Sequence, residues 1–184
     1  MATQPIANRF VPVEEYLATS YSPDCEYEEG AVVERNVGEI EHSFPQAVLS
    51  TLFTNNSEAW GVYGFPEQRV QISPTRFFVP NLCVAPLGRW EKIVTTLPLI
   101  AIEILSPEDT LRRAEEKARE YLRFGVPHVW VLDPYAQVAY RGTAGELERV
   151  PGGELTVPGT AIVVRATELF EKLDVMRKRG ERKE

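Results

Sequence analysis

Glu103 is the one charge in the run Leu99-Ile100-Ala101-Ile102-Glu103-Ile104-Leu105. A run of that length and composition reads as a central strand buried on both faces. A carboxylate inside it costs several kcal/mol after relaxation, so the fold must supply a cation, a metal ion or strong donors. Directly after the run, Ser106-Pro107-Glu108-Asp109 reads as a helix start. Ser106 is the expected N-cap, Pro107 takes the first helical position and Asp109 closes a capping box. An acid just ahead of a strand-to-helix turn sits where α/β folds place chemistry. Taken alone, it also suits an ion pair with an arginine from elsewhere in the fold.

The helix that follows carries a second candidate. Leu111, Ala114, Ala118, Tyr121 and Leu122 recur at helical spacing and predict one core stripe, with Lys117 on its flank. A flanking lysine can lay its aliphatic stem on the core and carry its ammonium to the sheet edge. Gly125 and Pro127 end the helix, and His128-Val129-Trp130-Val131-Leu132-Asp133-Pro134 reads as the next buried strand. The unit is strand–helix–strand with a right-handed crossover.

The elements that must position these side chains lie upstream. Arg69 to Ile72 and Phe77 to Val84 read as two strands joined by the turn Ser73-Pro74-Thr75. Ser43-Phe44-Pro45-Gln46 reads as a capping box opening a helix to about Phe53, with Phe44, Val48 and Leu52 on one face. Residues 10–19 predict a short helix, and Glu26 to Glu34 a hairpin turning near Gly30. After Pro134, short strands separated by Gly and Pro turns (Val138–Tyr140, Leu147–Val150, Leu155–Val157, Ile162–Val164) predict an antiparallel appendage.

Composition narrows the function. With 20 Lys and Arg against 27 Asp and Glu, the net charge is −7, which argues against broad, non-specific affinity for nucleic acid. The basic residues Arg112, Arg113, Arg119 and Arg123 are interleaved with Glu115, Glu116 and Glu120, which reads as a solvated face laced with i,i+4 pairs. The basic tail from Lys172 onward reads as a fraying terminus. No stretch is long and apolar enough for a membrane span, no N-terminal signal pattern is visible, and a cytoplasmic location is the expectation. Cys25 and Cys83 are isolated and read as reduced, packed thiols. His42, His128 and the two cysteines lack zinc-ligand spacing. No serine-hydrolase elbow or phosphate loop is present.

The order helix–strand–strand–strand–helix–strand, with the acid on the third strand, resembles the core of the PD-(D/E)XK nucleases. Finer motifs resemble the Uma family of restriction-endonuclease-like proteins. They are Val79-Pro80-Asn81-Leu82-Cys83-Val84, Ile102-Glu103-Ile104-Leu105-Ser106-Pro107, Glu116-Lys117 with Tyr121, and Phe124 to Pro134. Val11 to Leu17, Glu26 to Gly30, His42 and Val157-Pro158-Gly159 extend the likeness over about residues 10–172.

The resemblance implies an α+β fold with an α/β core: a restriction-endonuclease-like mixed central sheet flanked by helices, with the C-terminal appendage. It implies one nuclease-like domain over residues 1–184, with a charged tail at 173–184. It also implies a DNA endonuclease using Mg²⁺ or Mn²⁺, with Glu103 and Lys117 catalytic and Glu103 and Asn81 at the metal. His42 is a candidate accessory residue, and Glu67 a replacement oxygen donor that otherwise reads as an exposed strand-entry residue. A homodimer fits an enzyme that cuts two strands. The departure is Asn81, which stands where the family carries an aspartate and removes one unit of negative charge beside a hard cation. Two readings therefore stand: a metal-dependent endonuclease weakened by Asn81, and a catalytically inactive nuclease fold kept as a binding or assembly module.

Overall fold

The computed structural model describes residues 10–22, 24–35, 39–88, 93–143 and 146–181. The chain begins with α1 (Val13–Ala18), the hairpin β1 (Cys25–Glu28) and β2 (Ala31–Glu34), then α2 (Ile40–Asn55) and the single turn α3 (Ser57–Trp60). Five strands follow: β3 (Val62–Pro66), β4 (Val70–Ser73), β5 (Arg76–Phe78), β6 (Leu82–Pro86) and β7 (Ile100–Ile104). After them come α4 (Leu111–Arg123), β8 (His128–Asp133), β9 (Val138–Gly142), β10 (Leu147–Arg149), β11 (Glu154–Thr156), β12 (Val163–Arg165) and α5 (Ala166–Glu181).

The central sheet has six strands in the order β10-β9-β8-β7-β6-β3. Only β7 and β8 pair in parallel, as the crossover through α4 requires. All five residues of β7 are buried. Strand alternation sends Ile100, Ile102 and Ile104 to one face, where they pack with Leu49 and Phe53 of α2 and Leu169 and Phe170 of α5. Ala101 goes to the other face and meets Ala118 and Tyr121 of α4. A second, four-stranded sheet, β2-β1-β5-β4, covers that same face through Val70, Ile72 and Phe78. Glu103, in phase with Ala101, is thereby held between α4 and the second sheet.

Several expectations need correcting. Of the residues 69–72 expected as the first core strand, 70–72 lie in β4 of the second sheet, and the partner of β6 in the central sheet is β3. Gly64 and Pro66 hid β3 from a pattern reading, although Phe53 and Leu82 crowd Gly64 so closely that a Cβ there would sit 3.0 Å from the Phe53 side chain. The run expected from Phe77 to Val84 breaks at Val79-Pro80-Asn81, where the chain passes from the second sheet to the central one. Of the expected appendage, β9 and β10 extend the central sheet, and only β11 and β12 form a separate hairpin.

Helix boundaries shift too. α4 begins at Leu111 with Thr110 as N-cap, its side chain accepting from Arg113 N. Ser106 N and Oγ instead both donate to Asp109 Oδ2, at 2.9 and 2.7 Å, so the expected capping box closes a turn ahead of the helix. α2 starts at Ile40 rather than Ser43, and Pro45 lies inside it. Its core stripe is His42, Pro45, Leu49 and Phe53, with Val48 and Leu52 half-buried beside it. Of the segment expected to fray, residues 172–181 are the last part of α5, where Leu173 is fully buried and Arg177 pairs with Glu41 of α2, and residues 182–184 lie outside the described residues. Among the described residues, no helix is long and apolar enough to cross a membrane.

Candidate active site

Glu103 lies one residue before the end of β7, with only 11% of its side chain exposed. Its Oε1 accepts from the Tyr121 hydroxyl at 2.8 Å and pairs with Lys117 Nζ at 2.9 Å. Both partners come from α4, four residues apart and so on one side of the helix. The stripe that seats the helix thus also delivers the two donors. Lys117 runs over the Phe78 ring, its Nζ 5.4 Å from the centroid.

Burial raises the Glu103 pKa above the ordinary carboxylate value, and Lys117 opposes that rise. Burial works against the Lys117 ammonium, but Glu103 and then Glu26 outweigh it and hold its pKa above the usual lysine value. Burial and the Glu103 charge keep Tyr121 protonated well past the normal phenol range. The Glu103 carboxyl and the Lys117 amine thus form a buried pair, with the Tyr121 hydroxyl donating beside them.

Asn81 leads into β6. The pairing Cys83 with Ala101 and Leu82 with Ile102, continued one step, sets Asn81 across from Glu103. Its Oδ1 accepts from Ile104 N at 2.7 Å, and its Nδ2 lies 2.9 Å from His42 Nε2 and 3.4 Å from Glu67 Oε1. The winding of α2 ahead of Ser43 is what brings His42 in: it is buried, and burial followed by Arg35 lowers its pKa. Glu67, just past β3, is partly covered, with 34% of its side chain exposed, and pairs with Arg35. Gln46 Nε2 donates to Glu67 Oε1 at 2.5 Å and to the Asn81 carbonyl at 2.9 Å. The five residues singled out from sequence therefore gather in two adjoining networks, Glu103 with Lys117 and Asn81 with His42 and Glu67.

Sequence reasoning missed Glu26, which is 4% exposed on β1. Its Oε1 accepts from Lys117 Nζ at 2.6 Å and from Val79 N at 2.9 Å. No local signal marked it: a charge alternating with the core residues Cys25 and Tyr27 faces the opposite side of the strand, the ordinary place for a solvated side chain, and its partner Lys117 comes from distant α4. Arg35 and Gln46 were also missed, since nothing in their sequence context separates them from surface residues.

These side chains border a cleft of about 80 Å³ lined by Glu26, Arg35, His42, Asn81, Glu103 and Lys117, among others. Its donors toward a divalent cation are oxygens, the kind that Mg²⁺ and Mn²⁺ prefer. The set fits such an ion only sparingly. Among the described residues no group of three acidic, histidine or cysteine side chains converges, and Asn81 Oδ1 already accepts one backbone hydrogen bond.

A mixed sheet with a buried acid on its third strand, answered by a lysine from the next helix, is the frame of a restriction-endonuclease-like protein. The fold is shared with the crystal structure of "a putative nuclease belonging to DUF820" from Anabaena variabilis ATCC 29413. The two align with a TM-score of 0.77 at 22% identity, over 89% of this chain and 99% of that one. Residues 13–167 match the Uma2 family, described as "Putative restriction endonuclease", and the chain belongs to that family. A more distant likeness, at TM-score 0.37 and 17% identity, is to a structure titled "cryoEM structure DrdV-DNA complex", over 57% of this chain and 10% of that one. Comparison with curated proteins gave no match.

Proposed function

We propose that the chain is a metal-dependent DNA endonuclease that hydrolyses phosphodiester bonds, acting as a single nuclease-like domain in the cytoplasm, with Glu103 and Lys117 as its catalytic residues. The observation that carries this reading is the buried Glu103 carboxylate with the Lys117 ammonium 2.9 Å away, at the edge of a cleft, in a chain of this family. Glu103 and the second lone pair of Asn81 Oδ1 would hold Mg²⁺ or Mn²⁺, with His42 and Glu67 as accessory residues that fix Asn81. When bound, the ion supplies Lewis-acid polarisation of the phosphate and a more acidic water. Lys117 contributes a fixed positive charge where the attacked phosphate gains negative charge, and its N–H groups orient the attacking water. Tyr121 holds Glu103 Oε1 in place. DNA is the partner, and a homodimer would supply one site per strand.

A specific observation favours a second reading. Asn81 brings no charge to the site, and its oxygen is already engaged by Ile104 N. A nuclease fold so altered suits an inactive binding or assembly module.

Cleavage of duplex DNA across an Mg²⁺ and Mn²⁺ titration, with Glu103→Gln alongside, separates the two. The endonuclease reading expects metal-dependent cutting that falls by about a hundredfold or more in Glu103→Gln, with the fold retained because Gln keeps the shape and sheds a buried charge. A Glu103→Gln protein that cuts at the wild-type rate overturns the assignment. If neither protein binds metal nor cuts, the module reading holds.

A further inference from the structure

We propose that Glu26 is the positioning residue for Lys117: it anchors the ammonium beside Glu103 so that Lys117 stays in place when Glu103 turns to other partners. The proposal rests on the nuclease reading for its catalytic consequence, but not for the anchoring itself. Lys117 Nζ is held by two carboxylates, Glu26 at 2.6 Å and Glu103 at 2.9 Å. Their environments differ. Glu103 Oε1 is shared with the Tyr121 hydroxyl, and Glu103 is the group that any incoming cation or water would engage. Glu26 belongs to β1 of the second sheet, and the same Oε1 that holds Lys117 also accepts from Val79 N, in the stretch that leads to Asn81.

A lysine on four rotatable bonds, held by Glu103 alone, would lose its anchor whenever Glu103 is drawn toward a cation. With Glu26 present, one N–H stays committed to the second sheet and the ammonium keeps its distance from β7. Glu26 thus returns to the site the second negative charge that Asn81 does not carry, from a different sheet and aimed at the lysine. The hairpin β1–β2, outside the central sheet, gains a role in the site through this one contact.

The test separates anchoring from a purely structural role. Glu26→Gln keeps the side-chain length and an oxygen for Val79 N and Lys117, but removes the negative charge that holds the ammonium. Side-chain NMR of Lys117 (the ζ-nitrogen and ε-carbon signals) in metal-free protein should show a restricted ammonium in wild type and a mobile one in Glu26→Gln. Steady-state cleavage should show kcat reduced by about a hundredfold, the scale of a 1 Å misplacement, with KM for DNA within about twofold. Glu26→Asp, which keeps the charge on a shorter stem, should fall between the two and recover part of kcat. Should Glu26→Gln fail to fold, Glu26→Asp decides by itself. Unchanged Lys117 mobility in the folded variant, or a loss of thermal stability with kcat intact, overturns the proposal. If wild type cuts no DNA with any metal, the nuclease reading falls, and the Lys117 signals still decide whether Glu26 anchors it.

Discussion

Asn81 and His42 face each other nitrogen to nitrogen across 2.9 Å, and the backbone decides which of them donates. Ile104 N can only donate, so the Asn81 atom 2.7 Å from it is the amide oxygen. The amide nitrogen therefore donates to His42 Nε2, which leaves His42 neutral with its proton on Nδ1. The lowering of the His42 pKa by burial and by Arg35 acts in the same direction.

Asn81→Asp should reverse this relationship. The carboxylate still accepts from Ile104 N, but its second oxygen meets a bare Nε2 and requires a proton there. His42 becomes the donor, and its pKa rises from below the ordinary histidine value toward or above it. The added charge beside Glu103 should raise Mg²⁺ affinity by about tenfold or more, and cleavage should appear or increase. Calorimetric Mg²⁺ titration and the His42 ring resonances check both halves. Efficient wild-type cleavage, with no change in metal binding or rate in Asn81→Asp, would show that the ligand comes from elsewhere, with Glu67 the nearest candidate.

The two histidines set an acid limit to stability. Burial lowers the folded-state pKa of both His42 and His128. A group with a depressed folded pKa is protonated more readily in the unfolded chain, so its stability contribution is present above the unfolded value of about 6.5 and is lost as pH falls through the folded value. Glu103, with a raised folded pKa, contributes in the opposite sense, losing its share as pH rises above the ordinary carboxylate range. Between pH 7.5 and 5.5 the histidine contribution should dominate. Urea midpoints should therefore fall over that interval, and the fall should shrink in His128→Gln. A midpoint that climbs on acidification would mean that Glu103 governs this range.

How much of this was legible in the sequence depends on where each signal lies. Glu103 announced itself because one charge in a seven-residue apolar run has no bland neighbour to hide among. Lys117 followed from the phase of a strongly amphipathic helix, the kind that periodicity reads well. β3 did not, because its Gly64 and Pro66 read as punctuation, while its burial comes from Phe53 and Leu82, distant in sequence. The four-stranded sheet was invisible for a similar reason: β1 pairs with β5 across almost fifty residues, and nothing local specifies that pairing. Glu26 was missed with it, since a carboxylate on a short strand becomes a site residue only once that sheet is laid over α4. The start of α4 moved because Ser106 and Thr110 both suit an N-cap and the chain uses Thr110, whereas α2 starts after Glu39, which makes no side-chain cap hydrogen bond and so left no local mark.

The end of the chain offers a stability test. Leu173 is fully buried in the part of α5 that composition alone marks as tail. α5 also supplies Leu169 and Phe170 to the core cluster that holds Ile102 and Trp130. Leu173→Ala should cost about 2–5 kcal/mol, the usual range for a buried leucine reduced to alanine. Lys178→Ala, on the exposed face one turn further on, should change stability by less than about 0.5 kcal/mol. Chemical denaturation of the two variants checks this, and a Leu173→Ala protein as stable as wild type would return the segment to the status of a loose terminus.

DNA binding should be salt-sensitive and carried by few contacts. The cleft is lined by three cationic side chains, Arg35, Arg113 and Lys117, against a net charge of −7 over the whole chain. Arg35 is partly committed to Glu67, and Lys117 to Glu26 and Glu103. Two or three phosphates neutralised at the usual slope would lower affinity about ten- to fortyfold between 50 and 200 mM salt. Repulsion from the net negative charge works the other way: it is least screened at low ionic strength, so it lowers affinity there and flattens the slope. Fluorescence anisotropy with a labelled duplex across that salt range reads the slope directly. Arg113→Gln should reduce it by about one phosphate equivalent without touching the Glu103–Lys117 pair. Tight binding that ignores salt would mean that base edges or DNA shape carry recognition, through surfaces outside this cleft. A protein that bound in that way and cut nothing across the Mg²⁺ and Mn²⁺ range would be the binding module rather than the enzyme.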